Sequence, residues 1–176
     1  AKRLQIHMAC GTGKTFTALW IYQYLQPDLT MVMVPSLSLM AQTIREWTAN
    51  TDLAFRYLPV CSDSQVTEGS AAIDEDPDFM LGELAVLDAP ATTDIDKIEA
   101  FLRLEGPRII FCTYHSSGVV GEAVANVDTT FDFVVADEAH RTAGRASTVF
   151  SNVLKDEIIP AARRLFMTAT PRIFTQ

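Results

Sequence analysis

Positive charge is scarce in this sequence: 14 Lys and Arg stand against 22 Asp and Glu among 176 residues, a formal net charge of −8. A broad basic patch as the main footprint on nucleic acid is thereby excluded, and any contact with a phosphate backbone must be local. Cysteine is equally thin. Cys10, Cys61 and Cys112 are odd in number and sit in separate segments, without the paired spacing of a zinc site or the density of a secreted disulfide framework. They read as reduced thiols of a cytoplasmic protein. No apolar run approaches the ~20 residues needed to cross a bilayer, and Gln5 and His7 interrupt the stretch from Ala1 to Met8 where a signal peptide needs an unbroken apolar core. What is abundant is apolar surface: 48% hydrophobic residues against 20% charged supply one well-buried domain and exclude a disordered or low-complexity chain.

Strand and helix patterns alternate along the chain. Leu4, Ile6 and Met8 predict a short strand, followed by the turn Cys10-Gly11-Thr12-Gly13-Lys14-Thr15 and a helix to Leu25 that Pro27 stops. Met31 to Val34 reads as a buried strand, Ser36 or Ser38 as the cap of a helix carrying Leu39, Ile44 and Trp47, and Phe55 to Val60 as another strand. From Ser62 to Ala91 the pattern fades into an acidic stretch, a solvated or partner-facing surface with a short helix expected near Phe79 to Leu87. Thr93 is expected to cap a helix with Ile95, Ile98, Phe101 and Leu102, and strands are expected at Ile109 to Cys112, Phe131 to Ala136 and Leu165 to Met167, with a helix over Ser147 to Leu154. This alternation predicts an α/β fold with about six strands in a parallel sheet. The whole of 1–176 reads as a single domain. A glycine-rich motif that needs a strand in front of it begins within a few residues of Ala1, so a fragment of a longer protein is expected.

Two motifs carry chemistry. Around a triphosphate, backbone N–H groups must point inward, and Gly11 and Gly13 allow the turn that makes such a nest at a helix N-terminus, where the dipole also favours anions. Cys10, Gly11, Thr12, Gly13, Lys14 and Thr15 are the nucleotide-binding candidates, with Lys14 reaching the β- and γ-phosphates and the Thr15 hydroxyl a ligand for Mg²⁺. Met8 stands where the usual pattern has its first glycine. The second motif is Asp137-Glu138, which ends a strand of five apolar residues within six. A metal-side acid and a group that deprotonates water are both required for hydrolysis, and Asp137 and Glu138 supply them in that order.

Asp137-Glu138-Ala139-His140 is the DEAH form of motif II of superfamily-two helicases and translocases, and the chain resembles that family along nearly its whole length. Cys10 to Thr15 resembles motif I, Val34 to Gln42 motif Ia, and Thr168-Ala169-Thr170 motif III, while Thr113-Tyr114-His115-Ser116 occupies the place of a further nucleic-acid-side motif. Met8 to Thr15, Val60 to Asp63, Asp137 to Gly144 and Arg164 to Arg172 are similar to helicase modules of bacterial restriction-modification and phage-defence proteins.

The resemblance implies a three-layer P-loop NTPase domain of the RecA-like type with a mainly parallel central sheet, in which the motif III strand lies between those feeding motifs I and II. It implies ATP and Mg²⁺ as cofactors, with ATP sandwiched against a second RecA-like domain of the same polypeptide, and weak nucleotide turnover by the single domain. His140, Thr168 and Thr170 are implied as the coupling group near the γ-phosphate. Pro35, Ser36, Thr113 and Tyr114 are implied as nucleic-acid contacts made to phosphates, although Ser36 and Ser38 serve equally as helix caps and Gln42 as support for its loop. Duplex DNA is the expected polymer, and no membrane is expected.

Other classes fit less well. A GTPase or small-molecule kinase shares the phosphate loop, yet the chain has no Asn-Lys-x-Asp guanine selector and no Asp-x-x-Gly switch. A zinc hydrolase lacks His-Glu-x-x-His spacing, a serine hydrolase lacks Gly-x-Ser-x-Gly, and His7 and His115 have no catalytic setting. A docking module that binds ATP and a partner without moving DNA is the remaining alternative.

Overall fold

The computed structural model describes residues 2–9, 11–61, 90–138 and 152–169. The short helix expected near Phe79 to Leu87 lies outside them, as does most of the helix expected over Ser147 to Leu154, of which residues Asn152–Leu154 form a 3₁₀ turn. Six strands build one sheet among the described residues: β1 (Lys2–His7), β2 (Leu29–Val34), β3 (Arg56–Val60), β4 (Arg108–Thr113), β5 (Phe131–Ala136) and β6 (Ala161–Thr168), in the order β1-β6-β5-β2-β4-β3. Every pairing between them is parallel.

A parallel sheet survives only with both faces covered, and its central strands then read as continuous apolar runs. β2, with all six residues buried, is such a strand. Alternate side chains feed two separate cores. Met31, Met33, Ile110, Cys112, Val134, Ala136 and Phe166 face one side, whereas Val32, Val34, Ile109, Phe111, Val135, Leu165 and Met167 face the other. α1 (Lys14–Leu25) and α2 (Leu37–Ala49) cover the second face through Leu19, Tyr22, Ile44 and Trp47, with the Tyr22 and Trp47 ring centroids 5.4 Å apart. α3 (Ile95–Leu102) and α4 (Ser117–Val127) cover the first through Ile98, Phe101, Val120 and Val124. The layers are therefore helix, sheet, helix, as expected.

Local chemistry explains the helix ends. Gln26 closes α1 in the left-handed region at φ 45°, its N–H donating to the Tyr22 carbonyl, and Pro27 cannot continue the ladder. Ser36 caps α2 by accepting from the Leu39 N–H at 3.4 Å. At α3 the cap is Asp94 and not the expected Thr93: the Asp94 carboxylate accepts from the Asp96 N–H, while the Thr92 hydroxyl accepts from the Asp94 N–H. A carboxylate at the positive end of a helix is the stronger acceptor. α4 was not expected at all, since Gly118, Gly121 and the four β-branched residues Val119, Val120, Val124 and Val127 depress helix propensity. Burial of Val120, Ala123 and Val124 against the core overrides it.

β6 runs between β1 and β5, pairing Met167 with Ile6 and Phe166 with Ala136. β1 is thus separated from its sequence neighbour β2 by two strands, β6 and β5, which the chain lays down on its way back from β3, and β2 leads to α2 over one face while its neighbour β5 leads on to Val153 over the other. Such a switch point opens a crevice beyond the carboxyl ends of the strands, where ligands of open α/β sheets bind. Among the described residues no helix is long and apolar enough to cross a membrane.

Candidate nucleotide site

The loop between β1 and α1 leads into that crevice. Gly11 and Gly13 have φ of +75° and +91°, a region that glycine enters without steric cost, and a Cβ on either would meet nothing within 4 Å. The backbone, not crowding, demands glycine here, and the space above the loop is open to a ligand. Thr12 pins the turn by donating from its hydroxyl to the Ala9 carbonyl at 2.7 Å, and the Thr17 N–H donates to the Gly13 carbonyl at 2.9 Å, beginning the helical ladder. Lys14, at the first turn of α1, is only 9% exposed. Cys10 lies outside the described residues.

The acidic pair stands opposite, just beyond β5. The Asp137 N–H donates to the Met33 carbonyl at 2.9 Å, extending the β5–β2 ladder by one residue, and the Glu138 N–H donates to Asp137 Oδ1 at 2.9 Å. Glu138 has φ +50°, the left-handed region that costs a residue with a Cβ on the order of 1–3 kcal/mol. That conformation turns its side chain back over the phosphate loop, where Lys14 Nζ donates to Glu138 Oε1 at 2.6 Å. Residues 124 positions apart thus share one charge-assisted hydrogen bond.

Lys14, Thr15, Asp137 and Glu138 line a single cleft of about 390 Å³ together with Gly11 and Gly13. The structure therefore brings the two sequence motifs together. It adds residues that the sequence did not single out as site residues: Phe16 from α1, and Leu39, Gln42 and Glu46 from α2, with Gln42 Nε2 donating to Glu46 Oε1 at 2.7 Å. Their spacing of three and four places them on one helix face, a signal that points to a shared surface without saying which one.

For Mg²⁺, the donor set is a hydroxyl and a carboxylate, Thr15 and Asp137, both on the cleft wall. Hard oxygen donors of this kind suit Mg²⁺, which in nucleotide sites takes one or two protein ligands and completes its shell with phosphate oxygens and water. No group of three or more His, Cys, Asp or Glu side chains that could hold a metal by itself occurs among the described residues. The residues present fit a cation carried in with a polyphosphate.

The remaining candidates lie elsewhere. Thr168 ends β6, pairs with His7 and accepts the Met8 N–H on its carbonyl at 3.1 Å, which sets it beside the strand that leads into the phosphate loop. Its proposed coupling partners His140 and Thr170 lie outside the described residues. Pro35 and Ser36 are half-buried at the end of β2, where Ser36 acts as a helix cap. Thr113 and Tyr114 are 1% and 0% exposed. The Thr113 hydroxyl donates to Ser116 Oγ, and the Tyr114 hydroxyl donates to the Asp137 carbonyl at 2.6 Å. Both side chains turn inward at the end of β4.

Comparison with known proteins agrees with this fold. The family model described as "Type III restriction enzyme, res subunit" matches residues 1–173. The probable helicase A859L of African swine fever virus is 31% identical over 175 residues, both in isolate Tick/South Africa/Pretoriuskop Pr4/1996 and in strain Badajoz 1971 Vero-adapted, covering 98% of this chain and 18% of the viral protein. Among solved structures, a nuclease-deletion mutant of the Type ISP restriction-modification enzyme LlaGI in complex with a DNA substrate mimic is 32% identical at TM-score 0.74, covering 99% of this chain and 16% of that one. The ATP-dependent Type ISP enzyme LlaBIII bound to DNA is 32% identical at TM-score 0.77, covering 97% and 11%. The Hef helicase domain of Pyrococcus furiosus, 16% identical at TM-score 0.58, shares the fold. The chain spans less than a fifth of the length of the viral and restriction-enzyme relatives.

Proposed function

This chain belongs to the family of the type III restriction enzyme res subunit, and from that premise we propose that it is the first RecA-like ATPase domain of a longer polypeptide that translocates on duplex DNA. It is a helicase-family domain homologous to the helicase modules of restriction enzymes. The observation that carries the proposal is the meeting of Lys14 with the Asp137-Glu138 pair across one cleft at the switch point of the sheet.

In this reading the N–H groups of the Gly11 to Thr15 loop and the Lys14 ammonium hold the phosphates of ATP. Mg²⁺, held by Thr15 and Asp137, would neutralise charge on the phosphate oxygens. Glu138 orients a water and takes its proton as that water attacks the γ-phosphorus, while the bond from that phosphorus to the β–γ bridging oxygen breaks and ADP leaves. The ion pair between Lys14 and Glu138 keeps the base beside the ammonium, so that transfer of Lys14 to phosphate oxygens releases the carboxylate for water. Thr168, with His140 and Thr170, is assigned to coupling. Nucleic acid is assigned to the end of β2, where Pro35 and Ser36 retain solvent exposure. A second RecA-like domain of the same polypeptide supplies the other wall of the nucleotide site, and the cytoplasm is the compartment that suits such an enzyme.

The test is the ATPase rate of the native full-length protein without nucleic acid and with single-stranded DNA, duplex DNA or RNA. Stimulation by duplex DNA, lost in Glu138→Gln, is expected. Stimulation only by single strands or RNA assigns the motor to another polymer, and a rate that no polymer changes overturns the motor reading in favour of a nucleotide-dependent docking module.

A further inference from the structure

The peptide unit joining Asp137 to Glu138 has both of its polar atoms engaged. Its N–H donates to the Asp137 carboxylate at 2.9 Å, and its C=O accepts from the Tyr114 hydroxyl at 2.6 Å. A peptide unit held at both ends cannot rotate freely. That restraint matters here because Glu138 sits at φ +50°, a conformation from which rotation of this peptide is an escape. Rotation would swing the Glu138 side chain off Lys14.

Tyr114 is well placed to impose the restraint. It is fully buried, so its ring packs without solvent freedom, and it begins the 3₁₀ turn Tyr114–Ser116 that runs directly into α4. Its own backbone is tied in turn: the Ser117 hydroxyl donates to the Tyr114 carbonyl at 2.6 Å, and Asn152 Nδ2 donates to the Ser117 hydroxyl at 3.2 Å. A rigid donor on a rigid support pre-organises the acid it holds.

We infer that Tyr114 is a positioning residue for ATP hydrolysis, its hydroxyl locking the Asp137–Glu138 peptide so that Glu138 faces the phosphate loop. This inference rests on the reading of Glu138 as general base. The segment that the sequence suggested as a nucleic-acid contact thereby acts on the chemistry from beneath the site, through one hydrogen bond.

The experiment compares Tyr114→Phe, which removes one oxygen, with the native full-length protein under duplex-DNA-stimulated turnover. Expected is a kcat lower by on the order of 10- to 100-fold with KM for ATP and binding of a fluorescent ATP analogue unchanged, because the phosphate loop is untouched. Incorporation of 4-aminophenylalanine at position 114 restores an N–H donor and is expected to restore kcat. A folded Tyr114→Phe protein with wild-type kcat overturns the inference, as does a parallel change in kcat and KM. Should Tyr114→Phe fail to fold, a folded 4-amino variant that turns over slowly overturns it. Glu138→Gln separates the two claims: if that variant turns over at the wild-type rate, the general-base reading itself falls. If it loses turnover while Tyr114→Phe keeps both binding and kcat, only the role of Tyr114 falls.

Discussion

Lys14 Nζ and Glu138 Oε1 lie 2.6 Å apart, with the lysine 9% and the glutamate 19% exposed at the side chain. A pair this short and this shielded is stronger than a surface salt bridge, because water screens it less. It also joins the first turn of α1 to a residue just beyond β5, so the two walls of the cleft are held by the groups to which its chemistry is assigned in the proposed function.

Lys14→Ala removes the ammonium from both partners. A charge-assisted hydrogen bond contributes about 1.5–3 kcal/mol, so ATP affinity is expected to fall by about 10- to 100-fold in an equilibrium titration. Unchanged affinity would dissociate this lysine from the phosphates.

Glu138→Gln keeps the shape of the side chain, and its amide can still donate or accept a hydrogen bond, but it cannot take a proton. ATP binding is expected to survive while turnover falls by about 10² to 10⁴-fold. Single-turnover hydrolysis at the wild-type rate would move the general base to another residue.

Gly121→Ala tests the packing that sets α4 in place. A Cβ built on Gly121 would lie 2.8 Å from the Ile158 carbonyl oxygen and 2.9 Å from Ile158 Cγ2, so backbone has to shift. Destabilisation of about 1–3 kcal/mol is expected from overpacking, outweighing the better helix propensity of alanine. A denaturant midpoint equal to or above wild type would show that the chain at Ile158 yields freely.

Tyr22 is held protonated to unusually high pH. Burial, with a further push from the Asp28 carboxylate, raises its phenol from 10.0 to about 12. The unfolded chain therefore releases this proton first as pH rises, and stability falls across the window from about 10 to 12. In Tyr22→Phe that part of the alkaline decline is expected to vanish from the pH dependence of unfolding. An identical slope in the variant would mean that the group titrates alike in both states.

Local signals made some elements legible in the sequence, and packing between distant segments hid others. The loop Gly11 to Thr15 was legible because its φ requirements and its donors are local: two glycines with a lysine and a threonine between strand and helix specify the nest. The strands were legible from their apolar runs, and β2 with its wholly buried residues most of all. α4 was hidden because Gly118 and Gly121 lower local helix propensity, while the packing that rescues it comes from Ile158 and the sheet. The cap at Asp94 was displaced by one residue onto Thr93 because neighbouring polar side chains compete and only the final backbone geometry chooses.

Tyr114 is the instructive case. A tyrosine after an apolar strand has the same local pattern whether it faces solvent or turns under the sheet edge, so only the resemblance to a nucleic-acid-side motif spoke to its role. Its inward turn is decided by the partner it meets, the Asp137 carbonyl, 23 positions away in sequence.

The sequence by itself determined the α/β layering, the phosphate loop and the chemical identities of Lys14, Thr15, Asp137 and Glu138, because these follow from periodicity, backbone dihedral preference and side-chain chemistry within a few residues. Only the tertiary structure decided the strand order, the 2.6 Å meeting of Lys14 with Glu138, the α2 wall of Gln42 and Glu46, and the burial of Tyr114. Those depend on which strands pair and which side chains share a cavity, and pairing is settled by the joint burial of both faces of the sheet.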